Sequence, residues 1–99
     1  MEFEYTPSTA GLRVTLRGRL TFAENPRFRQ VLSHIGDRKA QRIVIDLGQV
    51  DFIDSAGLGM LIHARDAARR HNGTVTLDAA RGQVDRMLGL ARLHDVFRG

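Results

Sequence analysis

The stretch VDFIDSAGLGM, from Val50 to Met60, decides how the rest of the chain is arranged. An alternating apolar run from Ile43 to Leu47 ends just before it, and a helical pattern of apolar residues begins inside it and continues to about His71. Asp54 and Ser55 stand at the start of that pattern, where a side-chain oxygen can accept a hydrogen bond from an unpaired backbone N–H group. The stretch therefore predicts a strand that leads into a helix, with Ser55 exposed at the positive end of the helix dipole.

Two strands are predicted before the central stretch, because apolar and polar residues alternate there. Phe3 and Tyr5 alternate with glutamates. Between Leu12 and Leu16, apolar residues alternate with an arginine and a threonine. Alternation of this kind has the period of a strand with one buried face. The turn-forming residues from Pro7 to Gly11 make the two strands a predicted hairpin, and Gly18 is expected to end the second strand.

The first helix is expected to begin near Asn25, whose side chain would cap it, with Pro26 in the first turn. Proline is well tolerated there, because the first N–H groups of a helix have no partner within it. Gly36 is a natural C-cap and is the predicted end of this helix. The apolar stripe that would face the sheet consists of Phe28, Val31, Leu32 and Ile35.

The second helix, predicted from about Ser55 to His71, presents two different faces when its residues are placed at helical spacing. The face expected to pack on the sheet is small and apolar, with Gly57, Met60, Leu61, Ala64, Ala67 and Ala68. The other face carries Ser55, Gly59, Ile62, Asp66 and Arg69, with His63 and Arg70 at its edge. A branched alkyl side chain beside a bare backbone patch suits a protein contact, so we expect Ile62 and Gly59 to be exposed next to Ser55.

Three more elements are predicted after Asn72 and Gly73, which should end the second helix. They are a strand from Thr74 to Leu77, a helix from Gln83 to Leu90 and a short edge strand from Leu93 to Phe97. The strand over residues 42–47 is apolar almost throughout, as is typical of a central strand covered on both faces. The order of elements predicts an α/β fold, with a mixed β-sheet of four to five strands and helices packed against it.

The composition suits a single domain over residues 1–99 and disfavours several classes of function. There is no cysteine, and the four histidines lack the spacing and partners of a metal site. No nucleophile elbow and no complete nucleotide-binding loop occur, so we expect neither an enzyme nor a cofactor. The net charge of +4 comes from scattered arginines without interleaved aromatics, which does not favour direct binding of nucleic acid. No signal peptide or membrane-spanning run is present, so we expect a cytoplasmic protein without membrane insertion.

The segment from Asp54 to Gly59 also resembles a known family signature. Its sequence DSAGLG is similar to the Asp-Ser-Ser-Gly-Leu-Gly signature of STAS domains, named after sulphate transporters and anti-sigma factor antagonists. Gly18-Arg19-Leu20 resembles the Gly-x-Leu of that family, and the strand over 42–47 resembles its central strand. The resemblance extends over nearly the whole chain and implies the STAS fold.

Within that family, the chain is similar to bacterial anti-sigma factor antagonists, which act by partner switching. The resemblance implies that the unphosphorylated protein binds an anti-sigma factor that is also a serine kinase, and so frees a sigma factor for transcription. The kinase would then phosphorylate Ser55, and a phosphatase would reverse the reaction. The residues expected at the partner surface are Thr21, Asp54, Ser55, Gly57, Gly59, Ile62, His63 and Asp66.

Two positions depart from the family pattern. Ala56 replaces the second hydroxyl of the signature, which leaves Ser55 as the acceptor within the motif. Thr21 stands where many antagonists carry an aspartate, so kinase recognition is expected to differ in detail. The alternative interpretation is a constitutive regulatory subunit of a lipid-transport complex of the ABC type, in which Ser55 only caps the helix and no phosphoswitch operates. The sequence leaves the oligomeric state, the cognate kinase and the pathway open.

Overall fold

The strands form a mixed sheet in which their spatial order follows their order along the chain. A computed structural model of the protein describes residues 1–8, 11–38 and 41–97. The strands are β1 (Glu2–Ser8), β2 (Gly11–Leu20), β3 (Arg42–Ile53) and β4 (Thr74–Asp78). β1 pairs antiparallel with β2, whereas β2–β3 and β3–β4 are parallel pairs. The predicted α/β fold with a mixed, four-stranded sheet is confirmed. The predicted turn between β1 and β2 falls on residues 9 and 10, which lie outside the described part of the chain.

Helices connect the parallel strands, as parallel pairing requires. The connecting helices are α1 (Asn25–Arg38), preceded by a short 3₁₀ helix at Phe22–Glu24, and α2 (Ser55–Arg69), whereas α3 (Gly82–Leu90) and α4 (Leu93–Val96) follow β4. The core lies between the sheet and the helices, and its largest fully buried side chains include Phe28, Leu16, Ile45 and Leu61. The predicted sheet-facing side of α2 is confirmed, since Gly57, Met60, Leu61, Ala64, Ala67 and Ala68 are all buried.

Strand β2 does not end at Gly18, contrary to the prediction. Gly18 has a φ of +95°, and the register of β2 against β3 shifts between Gly18 and Arg19 before the strand continues to Leu20. A glycine with positive φ commonly forms such a bulge, because the missing Cβ removes the steric penalty. The bulge lets the strand extend until Leu20 pairs with Ile53, at the point where α2 begins.

The predicted start of α1 near Asn25 is confirmed, but the predicted capping roles of Asn25 and Gly36 were wrong. The chain is already helical from Phe22, and Asn25 lies at the C-terminal end of that 3₁₀ turn, so it does not cap α1 as predicted. Gly36 lies within α1 and has no positive φ, so it does not act as a left-handed C-cap. A glycine inside a helix costs only about 1 kcal/mol, which the packing of a buried apolar stripe readily exceeds.

The end of the chain forms a helix rather than the predicted edge strand. Arg92 adopts a left-handed conformation with a φ of 58° and redirects the chain after α3. Leu93 and Phe97, four residues apart, are then both buried against the core. Residues four apart lie on the same side of a helix and also of a strand, so this spacing does not decide between the two structures.

Side chains at the start of α3 form hydrogen bonds with the backbone of the part of β3 that does not pair with β4. Strand β4 pairs with β3 only from Arg42 to Asp46. Further along β3, the Gln83 amide accepts a hydrogen bond from Ile53 N–H at 2.9 Å and donates one to Ile53 C=O at 2.8 Å. Arg81 donates to the Gly48 carbonyl at 2.8 Å. These contacts satisfy backbone groups that would otherwise lie at an unpaired edge.

The sheet face opposite α1 and α2 carries an arginine between two carboxylates. An Arg13 Nη2 nitrogen lies 2.8 Å from both Asp46 Oδ2 and Asp78 Oδ2, and so links strands β2, β3 and β4. A hydrogen bond from Gly48 N–H, followed by those from Arg13, lowers the pKa of Asp46 despite partial burial. This face is therefore polar and internally paired.

The packing of α2 gives the first testable prediction. Replacing Leu61 with alanine should lower the free energy of unfolding by about 2–5 kcal/mol, because its side chain is fully buried and its removal leaves a cavity. Leu90→Ala is the matched control, since Leu90 is 82% exposed and should change stability by less than about 0.5 kcal/mol. Urea denaturation followed by circular dichroism measures both. Equal effects of the two substitutions would contradict the assignment of the α2 core face.

Candidate functional site

The carboxylate of Asp54 connects the start of α2 to the segment that follows β2. Its Oδ1 accepts a hydrogen bond from Gly57 N–H at 2.8 Å, as a helix N-cap does. Its Oδ2 accepts a hydrogen bond from Phe22 N–H at 3.1 Å, at the beginning of the 3₁₀ helix. The Asp54 backbone N–H also donates to the Leu20 carbonyl at 3.3 Å. Thr21, Phe22, Asp54 and Ser55 therefore lie together at one end of the molecule.

Ser55 is the first residue of α2, and its side chain is exposed. This agrees with the sequence-based prediction of an exposed hydroxyl at a helix start. The N-cap itself is Asp54, so the Ser55 hydroxyl is not needed to cap the helix. A hydroxyl at this position is accessible to a modifying enzyme, and the adjoining helix N-terminus favours negative charge.

The two glycines of α2 differ sharply in their surroundings. Gly57 is buried, and a Cβ there would collide with the Leu20 carbonyl oxygen and lie 2.6 Å from Ile53 Cγ1. Its predicted place at the partner surface is thus corrected, because its role is to let α2 approach the sheet. Gly59 is partly exposed, and a Cβ there would meet nothing within 4 Å. Gly59 leaves a bare stretch of backbone on the outer side of the helix.

Three other predicted contact residues lie further along α2. With a rise of about 1.5 Å per residue, Ile62 lies about 10 Å and Asp66 about 16 Å from Ser55 along the helix axis. Ile62 is half-buried and packs partly on the core, so it is less exposed than predicted, whereas Asp66 is exposed. His63 lines a groove between α1 and α2 together with Asp37 and His71, and so lies to the side of the Ser55 face.

Phe22 is a site residue that the sequence analysis missed. Its ring is 73% exposed, although phenylalanine is usually covered, and its backbone is bonded to the aspartate next to Ser55. The signal in the sequence was weak: Phe22 is an apolar residue between a strand and a helix, and it fits the period of neither. An exposed aromatic ring beside a candidate modification site is well suited to contact another protein.

The described residues offer no metal or membrane-spanning element to explain these features. Within residues 1–8, 11–38 and 41–97, no group of three or more His, Cys, Asp or Glu side chains could hold a metal ion. None of the helices described there is long and apolar enough to cross a membrane. The site itself presents an exposed hydroxyl, an exposed aromatic ring and bare helix backbone, a combination that suits a protein contact.

Comparison with known proteins places the chain in a family. The family described as "Mlab, STAS domain" matches residues 4–98, and the chain belongs to the STAS domain family. A STAS-domain containing protein of Pseudomonas aeruginosa (strain UCBPP-PA14) is 29% identical over 94 residues, which is 93% of this chain and 92% of the relative. The family assignment drawn from the DSAGLG segment is confirmed.

Solved structures share the fold at low sequence identity. A putative anti-sigma factor antagonist from Thermotoga maritima has a TM-score of 0.83 and 21% identity, covering 97% of this chain and 83% of that one. The Bacillus cell fate determinant SpoIIAA in its phosphorylated form has a TM-score of 0.72 and 16% identity, covering 97% and 87%. A sulfate transporter family protein from Wolinella succinogenes has a TM-score of 0.73 and 15% identity, covering 87% and 70%. The same fold therefore occurs both in regulators and in a transporter family.

The contrast between the two glycines gives the second prediction. Gly57→Ala should destabilise the protein by about 1–3 kcal/mol, because the new methyl group would displace the backbone of Leu20. Gly59→Ala should fold normally and gain about 0.5–1 kcal/mol, since alanine favours the helix and has free space. Thermal unfolding of the two variants measures the difference. Destabilisation by Gly59→Ala would show that this side of α2 is not open.

Proposed function

We propose that this protein is a bacterial anti-sigma factor antagonist that changes partners through phosphorylation of Ser55. The observation that carries the proposal is the exposed Ser55 hydroxyl at the first position of α2, beside the exposed ring of Phe22. In the cytoplasm, the unphosphorylated protein binds an anti-sigma factor that is also a serine kinase, and so releases a sigma factor for transcription. A phosphatase restores the binding form. The fold shared with anti-sigma factor antagonists supports this proposal.

The switch is a change of charge at the centre of the contact surface. The kinase transfers the γ-phosphoryl group of ATP to the Ser55 oxygen; the hydroxyl proton passes to a base of the kinase, and ADP leaves. The product carries about −1.5 to −2 charges at pH 7. The N-terminus of α2 tolerates this charge, so the fold persists. A partner surface fitted to a small neutral hydroxyl loses its packing and must desolvate an anion.

The contact surface consists of the residues that surround Ser55 and continue along the outer side of α2. Phe22 supplies an aromatic contact, Gly59 lets the partner backbone approach the helix, and Ile62 adds partly exposed apolar surface. The full set is Thr21, Phe22, Asp54, Ser55, Gly59, Ile62 and Asp66. Gly57 is left out because it is buried, and His63 because it lines the neighbouring groove.

Substitutions at Ser55 test the switch directly. With ATP and an anti-sigma-type serine kinase from the source genome, the wild-type protein should gain one phosphate, and Ser55→Ala should gain none. Ser55→Ala should still bind that kinase, whereas Ser55→Asp should fold normally but bind it more weakly by about 2–5 kcal/mol, because the charge is buried at the interface. Intact-mass spectrometry measures the phosphate, and surface plasmon resonance measures the affinity.

The second candidate function makes the opposite prediction. The occurrence of the same fold in a sulfate transporter family protein favours a transport-associated regulatory role as the alternative, such as the constitutive subunit of a lipid-transport complex. In that case Ser55 has no phosphate in cells, and the alanine and aspartate variants bind the partner equally well. That pair of results, obtained with folded variants, would overturn the phosphoswitch.

A further prediction for this surface concerns Phe22. Phe22→Ala should weaken binding to the same kinase by about 1–3 kcal/mol, because aromatic side chains often contribute most to an interface. Stability should hardly change, since the ring is 73% exposed. Leu90→Ala is the matched control, because it removes an apolar side chain of similar exposure, 82%, from α3. Equal affinities of the two variants would remove Phe22 from the contact surface.

A further inference from the structure

Asp54 holds two backbone segments with one carboxylate group. Each oxygen has its own donor: Oδ1 accepts from Gly57 N–H at 2.8 Å, and Oδ2 accepts from Phe22 N–H at 3.1 Å. The first contact belongs to α2 itself, whereas the second crosses from residue 54 to residue 22. The same side chain therefore caps the helix that begins with Ser55 and fixes the backbone beneath the Phe22 ring.

Few other contacts hold the start of the 3₁₀ helix. The Phe22 ring is 73% exposed and so contributes little packing, and Thr21 makes no side-chain cap hydrogen bond. Two backbone hydrogen bonds close the turn, from Glu24 N–H to the Thr21 carbonyl at 2.9 Å and from Asn25 N–H to the Phe22 carbonyl. At its far end, Glu24 pairs with the N-terminal ammonium group at 2.8 Å. The Phe22 carbonyl is thus held within the turn, whereas the Phe22 N–H group is held by the Asp54 carboxylate.

We propose that Asp54 is a positioning residue that couples phosphorylation of Ser55 to the position of Phe22. This inference rests on the proposed function, because it concerns the phosphate added at Ser55. A phosphate on residue 55 stands directly next to the Asp54 carboxylate and competes with it for the N–H groups at the start of α2. Repulsion between the two anions weakens the hold of Asp54 on Phe22 N–H. Phosphorylation then changes the surface twice: it adds charge at Ser55, and it releases the aromatic contact at Phe22.

Amide hydrogen exchange measured by NMR tests this coupling without a kinase or a partner. The full chain is made in two forms, with serine or with phosphoserine at position 55, the latter incorporated during synthesis. In the phosphorylated form, exchange at the Phe22 amide should accelerate by about 10-fold or more, as expected when a hydrogen bond to a charged acceptor is lost. The Leu61 amide in the buried part of α2 should be unchanged, which shows that the fold is intact. An unchanged rate at Phe22 would overturn the proposal.

The variant Asp54→Asn separates coupling from a general effect of charge. An asparagine has one acceptor oxygen instead of two and no negative charge, so it can serve only one of the two amides. In unphosphorylated Asp54→Asn, either Phe22 or Gly57 should already exchange faster. Phosphoserine at position 55 should then change Phe22 exchange by less than about 2-fold, because the repelled carboxylate is gone. A full acceleration in this variant would show that the phosphate acts without Asp54.

A second control places the phosphate elsewhere. Phosphoserine at the exposed Ser33 of α1 adds the same charge to a residue on another helix that is not a chain neighbour of Asp54, and Phe22 exchange should stay as in the unmodified protein. A similar acceleration from both positions would overturn the local mechanism. Failure of the proposed function looks different: Ser55 would stay unmodified in cells, while the exchange rates of the synthetic phosphoprotein would still report whether Asp54 couples the two sites.

Discussion

The close approach of α2 to the end of β2 at Gly57 is the constraint on which the rest of this structure depends. A Cβ at position 57 would collide with the carbonyl oxygen of Leu20, so only glycine lets the first turn of α2 approach β2 this closely without displacing the backbone. The same approach brings Asp54 within hydrogen-bonding distance of both Leu20 and Phe22. One packing requirement thereby fixes the start of α2 and the path of the chain before α1.

That arrangement separates stability from recognition within a single helix. The side of α2 that carries Leu61 and Ala64 is fully buried, whereas Ser55 and Asp66 are exposed. Because the two sets lie on different sides, a charge added to the exposed set does not enter the core. Under the proposed function, this is the reason that one fold can exist in a binding and a non-binding form without unfolding in between.

Much of the fold could be predicted from the sequence, because periodicity is a local property. Alternating residues indicated β1 and β2, and helical spacing indicated the buried side of α2. The bulge at Gly18 could not be foreseen, since it depends on pairing with a strand far along the chain. The final helix was not predicted, because Leu93 and Phe97, four residues apart, lie on one side of either a helix or a strand. At the candidate site, the motif predicted the exposed Ser55. The exposure of Phe22 could not be predicted, because it depends on how the other elements pack around it, and no local sequence pattern encodes that packing.

The contact of Gln83 with Ile53 helps to fix the backbone at the start of α2. Under the proposed coupling, a phosphate at Ser55 therefore affects the Phe22 hydrogen bond and leaves the start of the helix in place. Ile53 immediately precedes Asp54. The Gln83 side-chain amide, on α3, forms hydrogen bonds with both the N–H and the C=O group of Ile53. The carbonyl of Leu20 holds Asp54 N–H from the side of β2. The backbone at the start of α2 is therefore fixed from two directions, while the Phe22 N–H group at the start of the 3₁₀ helix is held by the Asp54 side chain. Under the proposed coupling, electrostatic repulsion from a phosphate at Ser55 acts on the hydrogen bond from Phe22 to Asp54, because its acceptor is the carboxylate next to the phosphate.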